Sequence, residues 1–435
     1  MIRRKSIVFS LLMLLSLGLF AQQHKSKADK ASKQIVSKKF RKVRKQFSPE
    51  VKERMSYFQT VVVWKMVEAQ AGKFEKLGES TFEDAGELEK YSYLAYFERG
   101  ILKINLNYNE EGKIAGLFFS PLDYKTPEYA SNLIYGKERL TVKTDTFEME
   151  GELILPDKCD QCPVIILVHG SGANDRDENL RPNKVFYDLS MGLAKHGIAT
   201  IRYDKRTYTY RDFYGNVEQQ YNLYDETIDD AVSAVELVKQ FPQLDSNRIF
   251  VLGHSLGGYA APLIAQECDE IDGIIVFAGP SRPLNDIIVE QYEFLFAVDG
   301  KVNWGEKWLI KRQKKISKRI ASNDFDTTAN SGKLMAYWPG MWWRGVQGYN
   351  PVATAAGLDT RIFVMQGDQD FQVSPEGDYP PWEEGLGESG ATYKLYPGLN
   401  HLFMEGKKAD GPSQYLVPSN VPEYVIMDIA NWVKK

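Results

Sequence analysis

The run Ile249-Phe250-Val251-Leu252-Gly253-His254-Ser255-Leu256-Gly257-Gly258 constrains the fold of this chain more than any other segment. Four apolar residues with strand character lead straight into a serine bracketed by glycines. A serine hydroxyl is a poor nucleophile near neutral pH and needs both exposure and a neighbouring base. A sharp strand-to-helix turn supplies the exposure by lifting the side chain above a sheet. Glycines at 253 and 257 would relieve the crowding that such a turn creates. The backbone N–H of Leu256, where the next helix opens, then faces a developing oxyanion.

The surroundings of this run favour that reading. Short, continuously apolar runs at 164–169, 198–204, 249–254, 273–278 and 361–366 have the character of strands covered on both faces. Helical stretches alternate with them. In 227–240, for example, Ile228, Ala231, Val232, Val235 and Val238 share one face. Such alternation predicts a parallel sheet with crossover helices. A strand pair at 140–145 and 147–155 precedes it. The segment 280–358 is too long for an ordinary connection and holds Trp304, Trp308, Trp338, Trp342 and Trp343. It predicts a helical insertion over the carboxyl edge of the sheet. Before all this, 48–122 predicts a small α+β module. A helix starts at Ser48-Pro49-Glu50 and runs to about Ala71, and strands follow at 91–98, 101–108 and 113–120. Residues 123–137 read as a linker.

Arg3, Arg4 and Lys5 precede an apolar run of 14 residues, 7–20, and Ala21 suits cleavage. The run is short of the roughly 20 residues a membrane span needs. Residues 1–21 therefore read as a secretory signal peptide, with export to the periplasm or medium and no stable membrane anchor. Lysine, arginine, serine and glutamine dominate 22–47, which predicts a mobile basic leader. A net charge of −4 argues against a nucleic-acid partner. Cys159 and Cys162 have three alternatives: a small local disulfide, free thiols or a redox pair. One such pair cannot complete a four-ligand zinc site.

Five histidines limit the choice of base. His24 falls in the leader, His169 ends a strand, His196 sits at a helix stop, and His254 adjoins the serine and should point away. His401 remains, on a loop after the predicted last strand at 392–396. The orienting acid should lie between serine and histidine in chain order. Asp370 is the first choice and Asp368 the alternative, since both follow the strand at 361–366. The backbone N–H of Ser171, in His169-Gly170-Ser171-Gly172, would join that of Leu256 as the second oxyanion donor. Arg176, in the run Asp175 to Glu178, either orders this loop through ion pairs or touches substrate. The same two roles are open to the charged residues of 202–206. Trp338 and Trp342 either line an acyl pocket or pack the interior of the insertion.

The segments LVHGSGANDRDE, RYDKR, VLGHSLGG, GDQDFQV and Asn400-His401 follow one another in an order that resembles the α/β-hydrolase superfamily. The chain is most similar to exported bacterial esterases of the serine aminopeptidase and dienelactone hydrolase-like branch, over 138–435. The stretch ILKINLNYNEEGKIAGLFFSP resembles the NTF2-like module that often precedes such esterases. The resemblance implies a mostly parallel sheet with helices on both faces and a helical lid, plus a small α+β N-terminal domain. It implies Ser255 as nucleophile, Asp370 as acid, His401 as base, and Ser171 and Leu256 as oxyanion donors, with no metal or organic cofactor. The implied activity is hydrolysis of carboxylic esters, small or glycan-linked, through an acyl-enzyme. A serine peptidase or acyl thioesterase would use the same groups, and an exported binding protein with an inactive core is the non-enzyme alternative. The insertion and the Cys159/Cys162 pair depart from the family pattern. The N-terminal module is left with three roles: a homodimer contact, a wall of the site entrance, or a glycan-binding surface.

Overall fold

The computed structural model describes residues 23–144, 146–387 and 391–435. The expected signal peptide lies outside them. The chain divides into two compact units, one comprising residues up to 123 with 412–418, the other 124–411 with 419–435.

The first unit holds helices α1 (Lys25–Val36), α2 (Phe40–Arg44), α3 (Pro49–Arg54) and α4 (Tyr57–Ala71). Strands β1 (Phe74–Asp84), β2 (Leu88–Phe97), β3 (Gly100–Asn109) and β4 (Ile114–Ser120) follow as an antiparallel sheet in sequential order. The leader expected to be mobile is instead α1 and α2. Of its few apolar residues, Ala28, Ala31, Ile35, Phe40, Val43 and Phe47 are buried and Val36 is half-buried. Composition concealed this, because a helix needs only one apolar stripe and the lysines occupy the other faces. The single helix expected after Ser48 is two. The chain turns extended at Met55, and Ser56 restarts the helix with a reciprocal capping box to Gln59. Trp64 of α4 is buried among Phe74, Phe97 and Phe119. Leu416 is buried in the same core and lies against Gly100.

The second unit is built on an eight-stranded sheet. In chain order its strands are β5 (Tyr135–Thr144), β6 (Phe147–Pro156) and β7 (Cys162–Val168), then, after the short hairpin β8 (Asn179–Leu180) and β9 (Asn183–Lys184), β10 (Ala199–Tyr203), β11 (Leu244–His254), β12 (Ile271–Phe277), β13 (Arg361–Gly367) and β14 (Ala391–Tyr396). The spatial order is β5-β6-β10-β7-β11-β12-β13-β14. β6 runs antiparallel to both neighbours and the rest are parallel. β5 begins within the expected linker, and Tyr129 of that linker is buried, donating to the Val421 carbonyl at 2.9 Å. Cys159 and Cys162 are joined as a disulfide.

Helices cover both faces of this sheet, as expected. Successive strand residues point to opposite sides. Ile154 of β6 packs with Met191 and Ala194 of α5 (Val185–Lys195), whereas its neighbours Leu153 and Leu155 pack in the cluster holding Ala231 and Ala234 of α6 (Asp229–Glu236). α7 (Leu256–Glu267) follows β11 directly. The insertion between β12 and β13 is helical, with α8 (Leu284–Ala297), α9 (Trp304–Ala321), α10 (Gly340–Gly345) and α11 (Pro351–Ala356). Trp304 and Trp308 on α9 are exposed. No helix among the described residues is long and apolar enough to cross a membrane.

Candidate active site

Ser255 occupies the turn between β11 and α7 with φ 54° and ψ −115°. A non-glycine residue held there stores about 1–3 kcal/mol of strain. The turn is tight enough to require its glycines. A Cβ on Gly253 would stand 2.1 Å from the Gly257 carbonyl oxygen, and one on Gly257 would stand 2.2 Å from that of Val168. Leu256 is the first residue of α7, so its N–H is among those a helix leaves without an internal partner. The loop after β7 passes beside the serine. A Cβ on Gly170 would approach the Ser255 Cβ to 3.2 Å, which brings Ser171 to the same place.

Asp370 is fully buried past the end of β13. Its Oδ1 accepts the backbone N–H groups of Gln372 (2.7 Å) and Val373 (3.0 Å). Its Oδ2 accepts Gln366 Nε2 (2.9 Å) and His401 Nδ1 (2.7 Å). A proton on His401 Nδ1 satisfies that contact and leaves Nε2 as the basic nitrogen. Asp368, the alternative acid, is engaged elsewhere, accepting the Gly398 N–H at 2.7 Å and the Gln369 amide at 3.0 Å. His401 is tied to the serine turn by its own backbone. Its carbonyl bonds His254 Nε2 at 2.9 Å, and the two rings lie 4.8 Å apart. Thus Ser171 and Ser255 line one pocket, and the Asp370–His401 pair is held against the residue that precedes the serine.

His254 does point away from substrate space, into a contact that sequence reasoning did not foresee. Its Nδ1 meets Glu178 Oε2 at 2.9 Å. Glu178 Oε1 in turn accepts the Gly170 N–H at 2.7 Å. Both partners of the His254 ring are acceptors, and a neutral imidazole has only one N–H to donate. The ring therefore carries both protons. Burial opposes that charge, but the Glu178 carboxylate outweighs it and holds His254 above its usual value. Glu178 is held below its usual value, because His254 more than offsets the effect of burial. His169 lies close by, and burial pushes it down to about 4. Its Nε2 contacts the Asp175 carbonyl at 3.1 Å.

The two charged runs form one network under the oxyanion loop. Arg176 donates to Asp204 through Nε (3.0 Å) and Nη2 (2.7 Å), and Arg202 bonds Glu152 at 2.8 Å and also Asp177. Lys205, buried, donates to the Gly170 carbonyl at 2.9 Å and to Glu226 at 2.7 Å. Arg176 is thus a fastener of this network and does not line the pocket above Ser255. These ion pairs match the first of the two roles the sequence leaves open to Arg176, the ordering of the loop.

That pocket is a cavity of about 290 Å³. Its floor includes Ser171, Ser255 and Leu256, and one face of α8 supplies Leu284, Ile287, Ile288 and Leu295. Trp338 also lines it. Trp342 does not, and it packs the interior of the insertion, one of the two roles the sequence leaves open to it. The two indoles stack with centroids 3.8 Å apart, and both donate to Glu226 Oε2, at 3.0 and 2.8 Å. Their apolar faces fill the insertion while one buried carboxylate takes both N–H groups. Tyr337 lines the same cavity as Ser171. Glu226 and Tyr337 carried no signal in the sequence, since neither stands in a motif.

Residues 163–407 match the family described as "Serine aminopeptidase, S33". Residues 28–117 match one described as "Protein of unknown function (DUF3887)". Esterase EstD of Thermotoga maritima is 30% identical over 406 residues, 92% of this chain and 93% of that protein. Est1E from Butyrivibrio proteoclasticus is 17% identical with a TM-score of 0.45, covering 68% of this chain and 97% of that one. An acylaminoacyl peptidase of Pyrococcus horikoshii is 17% identical with a TM-score of 0.46, covering 83% and 50%.

Proposed function

The chain belongs to the serine aminopeptidase S33 family of α/β-hydrolases, and from that premise we propose that it is a serine carboxylesterase acting through Ser255, His401 and Asp370. The observation that carries this reading is the buried 2.7 Å contact between His401 Nδ1 and Asp370 on a loop bonded to the Ser255 turn. Ser255 attacks the ester carbonyl as His401 Nε2 takes its proton. The N–H groups of Ser171 and Leu256 receive the negative charge on the tetrahedral oxygen. His401 returns the proton to the leaving alcohol, and Asp370 stabilises the imidazolium in between. Water then repeats the sequence on the acyl-enzyme and frees the acid.

The cavity supports an apolar acyl group. Its walls are mostly aliphatic and aromatic, and its volume of about 290 Å³ suits a short to medium chain or one aryl ring. The family description names a peptidase, and the same groups cleave amides, so peptide hydrolysis is the second reading. The homology to an esterase along 92% of the chain favours ester cleavage.

The test is a panel of p-nitrophenyl esters beside aminoacyl p-nitroanilides, with Ser255→Ala as control. The expected result is ester turnover that falls by about 10⁴-fold or more in the variant. Fluorophosphonate labelling should vanish with it. Turnover that survives the substitution refutes the assignment, and anilide cleavage without ester cleavage reverses the choice of substrate.

A further inference from the structure

The N-terminal unit carries a feature that ester hydrolysis does not use. Between residues 23 and 47 the chain has ten lysines and arginines and a single acid, Asp29. Folding of α1 and α2 gathers part of this charge into a concavity of about 470 Å³. Lys27 and Lys30 of α1, Lys42 and Lys45 in and after α2, and Lys113 in the β3–β4 turn line it, all exposed, with Glu111 as its only carboxylate. Three other cations of the segment are engaged: Lys25 pairs with Asp29, Lys38 with Glu68, and Arg44 donates to the Met55 and Lys52 carbonyls. Among the described residues, Lys30, Lys42, Lys45 and Lys113 have no acidic partner. Ammonium groups gathered this closely repel one another. The cluster therefore opposes folding, and a bound polyanion would relieve it.

We propose that this cleft binds an acidic polysaccharide, one bearing carboxylates on successive sugars. Five ammonium groups spread over two helices and a turn exceed what one phosphate, at about −1.5 to −2, would neutralise. A repeating polyanion matches them. The cleft also offers hydroxyl-binding groups. Gln46 Nε2 donates to Gln34 Oε1 at 2.7 Å, leaving the other half of each amide, one donor and one acceptor. An anionic membrane fits less well, because surface helices hold lipid through an exposed apolar face. Here the apolar faces of α1 and α2 are consumed by the unit's own core. Single-stranded nucleic acid wants aromatic platforms, and none lines the cleft. This inference does not rest on the catalytic reading.

The experiment measures binding of the full-length protein to polygalacturonate, neutral dextran and phosphatidylglycerol vesicles by affinity electrophoresis and co-sedimentation. The wild type is compared with the combined Lys30→Glu, Lys42→Glu and Lys45→Glu variant. We expect polygalacturonate binding at low salt that weakens about tenfold or more in the variant and disappears as Debye screening rises at about 0.5 M NaCl. Ester turnover of the variant, which touches no residue of the Ser255 site, should match the wild type and reports correct folding. If the combined variant melts early, Lys113→Glu alone repeats the measurement on the turn. Binding unaffected by either variant, equal retention on dextran, capture by vesicles alone, or no binding at low salt would each overturn the proposal.

Discussion

Glu178 and His254 form a 2.9 Å pair beside the Ser255 turn, and each extends its remaining group to a different loop of the candidate site. Glu178 Oε1 holds the Gly170 N–H of the loop after β7, and His254 Nε2 holds the carbonyl of His401. One ion pair thus ties the loop after β7 to the loop that carries His401.

Replacing Glu178 with Gln should therefore act on both catalysis and pH stability. Without the carboxylate, His254 loses the reason to carry two protons and releases one of its partners. We expect kcat on p-nitrophenyl acetate to fall about tenfold or more while KM changes little, as for a displaced transition-state contact. His254 is raised above its usual 6.5 and Glu178 lowered from 4.5. The stability from a raised histidine is complete below about 6.5 and is lost as pH climbs through its folded value. That from the lowered carboxylate is complete above about 4.5 and is lost as pH falls through its own. A plot of Tm against pH should show an alkaline decline in the wild type that Glu178→Gln flattens. Parallel curves for the two proteins would exclude the linkage.

Asp370→Asn tests the orientation of His401. The amide keeps the volume but offers an N–H toward Nδ1, favouring the tautomer whose Nε2 already holds a proton. The expected loss in kcat is about 10⁴-fold at neutral pH, with folding judged by circular dichroism. A loss no greater than that of Asp368→Asn would mean the wrong acid has been named.

Glu226→Ala should be a stability variant before it is an activity variant. It strands the buried Lys205 ammonium and leaves both the Trp338 and Trp342 N–H groups without a partner. Breaking a buried pair in this way costs about 3–5 kcal/mol. Thermal melting should fall by at least about 6 °C. An unchanged melting point would show that water takes over the role of the carboxylate.

Ile287→Trp fills part of the cavity from α8. Selectivity per methylene in an apolar pocket runs to about tenfold or more, so kcat/KM for p-nitrophenyl octanoate should drop by that factor relative to the acetate. If all chain lengths decline equally, the acyl group binds somewhere other than this cavity.

The sheet and the serine turn were legible because local rules govern them. Continuous apolar runs between helical stretches admit few arrangements, and no residue but glycine fits at 253 or 257. His401 emerged by elimination among five histidines. What escaped was set by long-range pairing. Nothing in Asp175 to Glu178 says that Arg176 turns toward Asp204 while Glu178 turns toward His254, since neighbours on a loop diverge according to what the fold places beside them. The choice between the two roles of Trp342 was hidden for a similar reason: a carboxylate 116 residues away captures its N–H. The leader 22–47 was misjudged by composition, which averages over faces that a helix separates.

The inclusion of 412–418 with the N-terminal unit bears on how this chain can be inherited and engineered. The polypeptide leaves the larger unit, contributes Leu416 to the core of the smaller one, and returns to complete the larger with α12 (Glu423–Val433). Cutting at 123 would strip Leu416 of its packing and leave a greasy loop on whatever remained. Truncations, fusions and domain exchanges that treat the two parts as beads on a string should therefore yield insoluble products, whereas swaps that carry the returning segment along should not.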